Sequence, residues 1–306
     1  MIEVADAIVV HFGPFDLLDT CLQHLRSQVR SVVVVNNDDL AIPDVLKSRY
    51  PDVLWDESGA NLGFGRGVNR GCVYLDKTSY ILVVNPDVTI GNGLISGLVS
   101  YLNRNPNIAM VGPRLLHPDG SLQTSGYRLP TIIQLIGYLL NMNNRIPQSM
   151  KRLLGKTPMK HQFGQLDPHD DEKTVEMITG ACMMIRPQAL FDAGPFDPGF
   201  FLYYEEKDFC KRLGDAGWGV GFTPDVTAYH VIGGSGSPLS SDAIRHRALG
   251  ALRYFRRHGT RVTAAAASTL LALHAAINMI RSDRRQMYRD ILTSSLSRAF
   301  PCDSCS

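Results

Sequence analysis

Charge of one sign is the first thing this sequence lacks. Its 31 Lys and Arg against 29 Asp and Glu leave a formal net charge of +2 over 306 residues, so composition offers no footprint for nucleic acid. Any electrostatic argument has to rest on where the charges fall. Nor does a leader show: the chain enters a strand-like run, Ala7-Ile-Val-Val-His11, almost at once, and reads as carrying no secretory signal. Cysteine is sparse, and Cys21, Cys72, Cys182, Cys210, Cys302 and Cys305 are scattered, as in a cytoplasmic protein with reduced thiols. Cys302 and Cys305 have metal-like spacing, but no second pair completes a four-ligand zinc site, and a frayed tail is expected. A prenylation box is excluded because Asp303 occupies the position that needs Cys. No internal repeat is visible.

Two nucleotide signatures are also missing. Gly63-Phe-Gly-Arg-Gly67 has glycines at alternate positions, which is not the dinucleotide fingerprint, and it lacks the Gly-Lys-Ser/Thr ending of a Walker loop. Its backbone N–H groups suit phosphate oxygens, though a plain loop-to-helix turn explains it equally well. A nucleotidyltransferase would need a basic glycine-rich loop after the first strand, and Gly13-Pro14-Phe15-Asp16 is not one.

What is present is alternation. A hydrophobic content of 44% with 20% charge describes a globular chain, long enough for one large α/β domain with an extension. Strand signals at 7–10, 31–35, 53–55 and 80–84 alternate with helical periodicity at 17–28 and from Gly67 to Val73, the pattern of a mainly parallel sheet flanked by helices. Two strand ends, at Asn36-Asn-Asp-Asp39 and Asn85-Pro86-Asp87, carry polar side chains where such sheets bind ligands. Asp87 supplies hard oxygen suited to Mg²⁺ or Mn²⁺, although a Pro-Asp turn would also account for it. The run Phe200-Phe-Leu-Tyr-Tyr-Glu-Glu-Lys-Asp208 sets Glu205, Glu206 and Asp208 behind aromatic rings, where a carboxylate's pKa rises and it can serve as a base. Acids solvated on the first turn of a helix are the plainer alternative. His230 precedes a glycine-rich run and is a possible metal ligand.

These pieces resemble one family. Val9-Val-His-Phe12, Val32-Val-Val-Val-Asn-Asn37, Asn61-Leu-Gly-Phe-Gly-Arg-Gly-Val-Asn69, Val83-Val-Asn-Pro-Asp87, Thr179-Gly-Ala181, the Phe201–Asp208 run and His230 fall in the order seen in family-2 glycosyltransferases. Within that family they look most like bacterial rhamnosyltransferases of O-antigen, capsule or cell-wall assembly. The resemblance implies a GT-A fold over residues 1–238, with 130–172 as a helical or loop insertion. It also implies inverting transfer from a nucleotide-diphospho-sugar, dTDP-rhamnose, to a polyprenyl-linked glycan at the inner face of the cell membrane. Other UDP- or GDP-sugars, and a non-catalytic sugar-nucleotide-binding protein, are the alternatives. Carried residue by residue, Phe12, Asn36 and Asp38 would surround base and ribose. Asn61, Gly63, Phe64, Asn69 and Asn85 would line the nucleotide, and Asp87 and His230 would hold Mg²⁺ or Mn²⁺. Glu206 would be the base, secure only to within Glu205/Glu206, with Asp208 in the same carboxylate cluster. Asn36 and Asn85 stand where Asp is usual, so fewer anionic ligands face the metal.

Residues 239–306 read as a basic helical extension. Between 245 and 298 there are 11 Arg against two acids, Asp283 and Asp290. Residues 262–280 form a charge-free run nearly long enough to span a bilayer, but His274 and Asn278 would be expensive in hydrocarbon. A surface-lying or core-docked helix is expected, its arginines drawn to anionic lipid at about 1 kcal/mol each. A solvated basic cap is the competing reading.

Overall fold

The computed structural model describes residues 5–140, 171–231, 240–281 and 283–297. Four parallel strands form its first half: β1 (Ala5–His11), β2 (Ser31–Asn36), β3 (Val53–Glu57) and β4 (Tyr80–Val84). Strands β1, β2 and β4 are β-branched and apolar runs with both faces covered, the composition that buried parallel strands require, while the edge strand β3 is partly exposed. Between them lie α1 (Phe15–Leu25), α2 (Asp44–Arg49) and α3 (Phe64–Cys72). The sheet continues through β5 (Val88–Ile90), β6 (Ile108–Leu116) and β7 (Leu122–Gln123), with α4 (Leu94–Arg104) between β5 and β6. After the short β8 (Gly126–Tyr127) comes α5 (Ile132–Leu139). The later strands are β9 (Lys173–Val175), β10 (Met177–Ile178), β11 (Cys182–Ile185) and β12 (Gly219–His230). The strand order β3-β2-β1-β4-β11-β6-β12-β5 is mixed, because β11 runs antiparallel between β4 and β6.

Side-chain alternation divides the core. Ala7, Val9 and Val34 face a layer made by α1, α2 and α4, while Ile8, Val10 and Val33 face α3 and two later helices, α6 (Pro187–Ala193) and α7 (Glu205–Asp215). Helix α3 lies close on β1 because Gly67 and Gly71 sit four residues apart on its inner face. A Cβ at either would come within 2.7 Å of Val10 or Ile8. Of the glycines in Gly63–Gly67, Gly63 lies in the turn and Gly65 and Gly67 serve packing.

A third cluster joins α5 to α8 (Ser241–His258), α9 (Arg261–Arg281) and α10 (Arg285–Leu296). Arg245, early in α8, pairs with Asp290 of α10 at 3.4 Å, and Arg256, late in α8, donates to the Ser295 and Ser297 carbonyls. Helices α8 and α10 therefore run side by side, with α9 returning between them. The expected helical extension is present. The part of the 130–172 insertion beyond Leu140, the glycines after Val231 and the Cys302/Cys305 pair lie outside the described residues.

Candidate functional site

One cavity of about 380 Å³ opens at the carboxyl ends of β1 and β4. Phe12, Asn61, Gly63, Phe64 and Asn85, five of the residues singled out in the sequence, line it, and so does Pro86. Gly63 caps α3 at φ +80°, a conformation that favours glycine. Its Cβ position is filled by the Phe201 carbonyl, which also accepts from Phe64 N–H at 3.0 Å. Asn61 Oδ1 closes the turn by accepting from Gly63 N–H at 2.9 Å.

Other expected residues shape the cavity from behind. Asn36 is buried, and its amide donates to Glu57 at 2.7 Å and to the Leu40 carbonyl at 2.8 Å. Asp38 accepts from Gly13 N–H and Leu40 N–H, and these bonds to a carboxylate held by backbone donors leave its pKa lowered despite some burial. Asn69 clamps the Phe196 backbone, donating to its carbonyl and accepting from its N–H. None of the three is on the cavity wall, where Asn37 stands instead. Behind this wall, His11 is wholly buried with neither ring nitrogen hydrogen-bonded, and burial pushes its pKa down to about 4.

Asp87 and His230 come together although 143 positions apart, because β5 pairs antiparallel with the end of β12 and sets Val88 opposite His230. His230 Nε2 lies 3.3 Å from Asp87 Oδ1, while Nδ1 is 3.0 Å from Gln123 Nε2. Both are largely buried beside the Asn85-Pro86 wall.

The three carboxylates at the start of α7 have different environments. Tyr203 and Tyr204 precede them with φ of 68° and 73°, two successive non-glycine residues in left-handed conformation, which is strained backbone held by its surroundings. Glu205 is buried, with Oε2 lacking a partner; burial first, then the charge of Glu206, raises its pKa to about 8. Glu206 keeps one oxygen on Lys207 Nζ at 2.6 Å, and its other oxygen has no hydrogen-bond partner. Burial would lower the Lys207 pKa, but the charges of Glu206, Tyr204 and Glu205 and the Glu206 hydrogen bond together outweigh it and the net shift is upward. Gly180 of the Thr-Gly-Ala segment leaves room between Glu206 and Phe64, whose ring is 3.3 Å from the Cβ position there. Asp208 faces away. It is fully buried against Arg212 at 2.9 Å, His258 at 2.7 Å and Arg257 at 3.2 Å; the His258 and Arg212 hydrogen bonds and the charges of Arg212 and Arg257 together outweigh burial and lower its pKa.

Four further cavity residues, Ser240, Asp242, Ala243 and His246, come from the start of α8, the helix read as the beginning of a separate extension. His246 stacks on Phe201 at 4.4 Å between ring centroids. No sequence signal marked them.

The fold is that of GT-A nucleotide-sugar transferases. A solved structure, GalNAc-T7 with UDP, GalNAc and Mn²⁺, aligns over 97% of this chain and 56% of that one, at a TM-score of 0.58 and 12% identity. The model of the family described as glycosyltransferase like family 2 matches residues 16–250, and the chain belongs to that family. It is a glycosyltransferase enzyme with rhamnosyltransferases among its relatives. The N-acetylglucosaminyl-diphospho-decaprenol L-rhamnosyltransferase of Mycobacterium tuberculosis is 29% identical over 75% of this chain and 76% of its own. The rhamnosyltransferase WbbL of Escherichia coli K12 is 22% identical over 82% and 92%. The hexosyltransferase Agl10 of low-salt glycan biosynthesis in Haloferax volcanii is 26% identical over 75% and 68%.

Proposed function

We propose that this enzyme transfers L-rhamnose from dTDP-rhamnose, with inversion, to a glycan carried on a polyprenyl diphosphate at the cytoplasmic face of the membrane. The observation that carries this is the convergence at one cavity of the β1, β3–α3 and β4 loops, with the Asp87–His230 pair and Glu206 at its margins. The relatives' names support the sugar and the lipid-linked acceptor.

In this reading Phe12, Asn37 and Asn61 border the nucleotide. Glu206 takes the proton of an acceptor hydroxyl as its oxygen bonds to the anomeric carbon. The bond from that carbon to the diphosphate oxygen breaks, and the electron pair leaves with the diphosphate. Lys207 Nζ, 2.6 Å from one Glu206 oxygen, orients that side chain until an acceptor displaces it. Asp87 and His230 suit Mg²⁺ or Mn²⁺, since a carboxylate oxygen and an imidazole nitrogen already converge in a buried place beside the cavity. No cluster of three or more His, Cys, Asp or Glu occurs among the described residues, so the diphosphate would complete the set. When bound, the ion would neutralise charge on the leaving group.

A thermal-shift panel of dTDP-, UDP- and GDP-sugars with and without Mn²⁺ tests the reading, because a specific ligand raises apparent stability with its concentration over Kd. The largest shift is expected with dTDP-rhamnose and Mn²⁺, and chelator should abolish both the shift and transfer. A preference for UDP- or GDP-sugars would replace the donor. Full transfer in chelator would remove the metal.

A further inference from the structure

Helix α9 is apolar on both its inner and its outer face. Its inner face carries the polar His274 and Asn278 beside Ala267, Leu271 and Ala275, with the His274 ring 6.1 Å from that of Tyr288 in α10. Its outer face carries Val262, Leu273, Ile277 and Ile280, each between 50% and 79% exposed. At 100° per residue these fall in one stripe with Ala266, Thr269 and Ala276. Only 17% of the most apolar stretch is buried, although its mean hydropathy is 1.4. A stripe of large aliphatics left in water along one helix marks an interaction surface.

We infer that this stripe docks α9 in the plane of an anionic lipid bilayer, with Arg261, Arg285 and Arg289 at the headgroups. Charge complementarity chooses the occupant. Arg261 opens the helix, Arg285 and Arg289 stand exposed just past its end, and Asp283 is the acid among them. Apolar residues between cations are the pattern of an interfacial helix. The surface also lies where it is useful. Helix α9 returns toward the start of α8, which lines the cavity, so Ile277 and Ile280 are at the cavity end of the bundle. There α5 packs on α9 and exposes Ile133, and Arg247 lies over both Tyr138 of α5 and Tyr203 at the cavity. A docked helix would hold the cavity mouth near the membrane surface. That use rests on the proposed lipid-borne acceptor; the docking itself does not.

Flotation of the full-length protein with phosphatidylcholine vesicles, with and without phosphatidylglycerol, tests it. Binding is expected only with phosphatidylglycerol and should be lost in high salt. The triple variant Leu273→Glu/Ile277→Glu/Ile280→Glu should bind at least about tenfold more weakly, and Arg285→Ala/Arg289→Ala should weaken binding less. Both should keep the wild-type melting temperature and donor-induced thermal shift. Wild-type protein that ignores both vesicles, or a triple variant that floats as well as wild type, would overturn the inference. So would release only by detergent, which means a span, or a dimer that the triple variant breaks, which means the stripe joins two copies. Because flotation reads no transfer and the sugar-nucleotide panel reads no lipid, the two proposals fail separately.

Discussion

The two sides of the cavity use their polar side chains in opposite ways. On the sheet side, Asn36, Asp38 and Asn69 spend their hydrogen bonds on neighbouring backbone and on Glu57, and what faces the cavity is mostly rings, backbone and three amides. The atoms left without partners there, on the His11 ring and Asn37 Oδ1, belong to neutral groups. On the helix side, the start of α7 leaves two carboxylate oxygens without hydrogen-bond partners, one on Glu205 and one on Glu206. Satisfied polar groups make a rigid, shaped wall; unsatisfied buried ones store free energy that a reacting group can draw on. The difference points to binding on the first side and proton transfer on the second.

The largest expected effect tests that division at its reactive end. Glu206→Gln keeps shape and removes the proposed base, and turnover should fall roughly 10²–10⁴-fold, with donor affinity nearly unchanged. Glu205→Gln should cost far less, because a carboxyl held protonated by burial is a poor base at neutral pH. Steady-state transfer assays on both variants decide; a reversed order would move the base to Glu205.

Next in size is the anchor. Asp208 ties α7 to α8 through Arg257 and His258, and Arg257 also reaches Asp197 at 2.5 Å. Removing one member of a buried ion cluster strands the others, and Asp208→Asn should cost about 3 kcal/mol, discounted somewhat because Arg257 is 39% exposed. The sign with pH follows from the lowered pKa. Its stabilisation is present above the ordinary value of 3.8 and disappears as pH falls through the folded-state value. Urea melts at pH 7 should separate variant from wild type far more than melts at the acid limit of folding.

On the sheet side, Gly63→Ala asks whether the wall is as rigid as its bonding implies. Left-handed backbone costs a non-glycine residue about 1–3 kcal/mol, and here the added carbon also meets the Phe201 carbonyl. Donor binding should weaken with little change in turnover at saturation. A turnover loss with donor affinity intact would mean that Gly63 serves the α7 side through Phe201.

The sequence made the wall legible and left the anchor hidden, for reasons of distance along the chain. Strand β4 runs from Tyr80 to Val84 as its apolar run implies, and the Asn61–Phe64 turn is local chemistry, readable from Asn and Gly spacing. Asn36 and Asn37 were separable only by the sheet: Asn36 ends β2 opposite His11 and turns to Glu57, leaving Asn37 to the cavity. The three acids of α7 look alike in sequence because their partners lie elsewhere. His258 is 50 residues away, and no local pattern brings α8 over the site. For the same reason Asp242 and His246 of α8 were assigned to an extension.

The smallest effect sharpens the comparison within α7 itself. Glu205 and Asp208 are three residues apart, yet their pKa values move in opposite directions, so their contributions to stability should depend on pH with opposite sign. For Glu205 the folded-state pKa lies near 8, above the ordinary value of 4.5. Its contribution is fully present below pH 4.5 and is lost as pH rises through 8, since ionising a buried, unpaired carboxyl costs desolvation. Glu205→Gln should therefore be nearly neutral at pH 5 and gain stability relative to wild type by pH 8–9. Melting temperatures across that range check it. A Glu205→Gln curve parallel to wild type from pH 5 to pH 9 would mean that Glu205 ionises with its partner oxygen satisfied, and that Glu206 is not alone in carrying the charge.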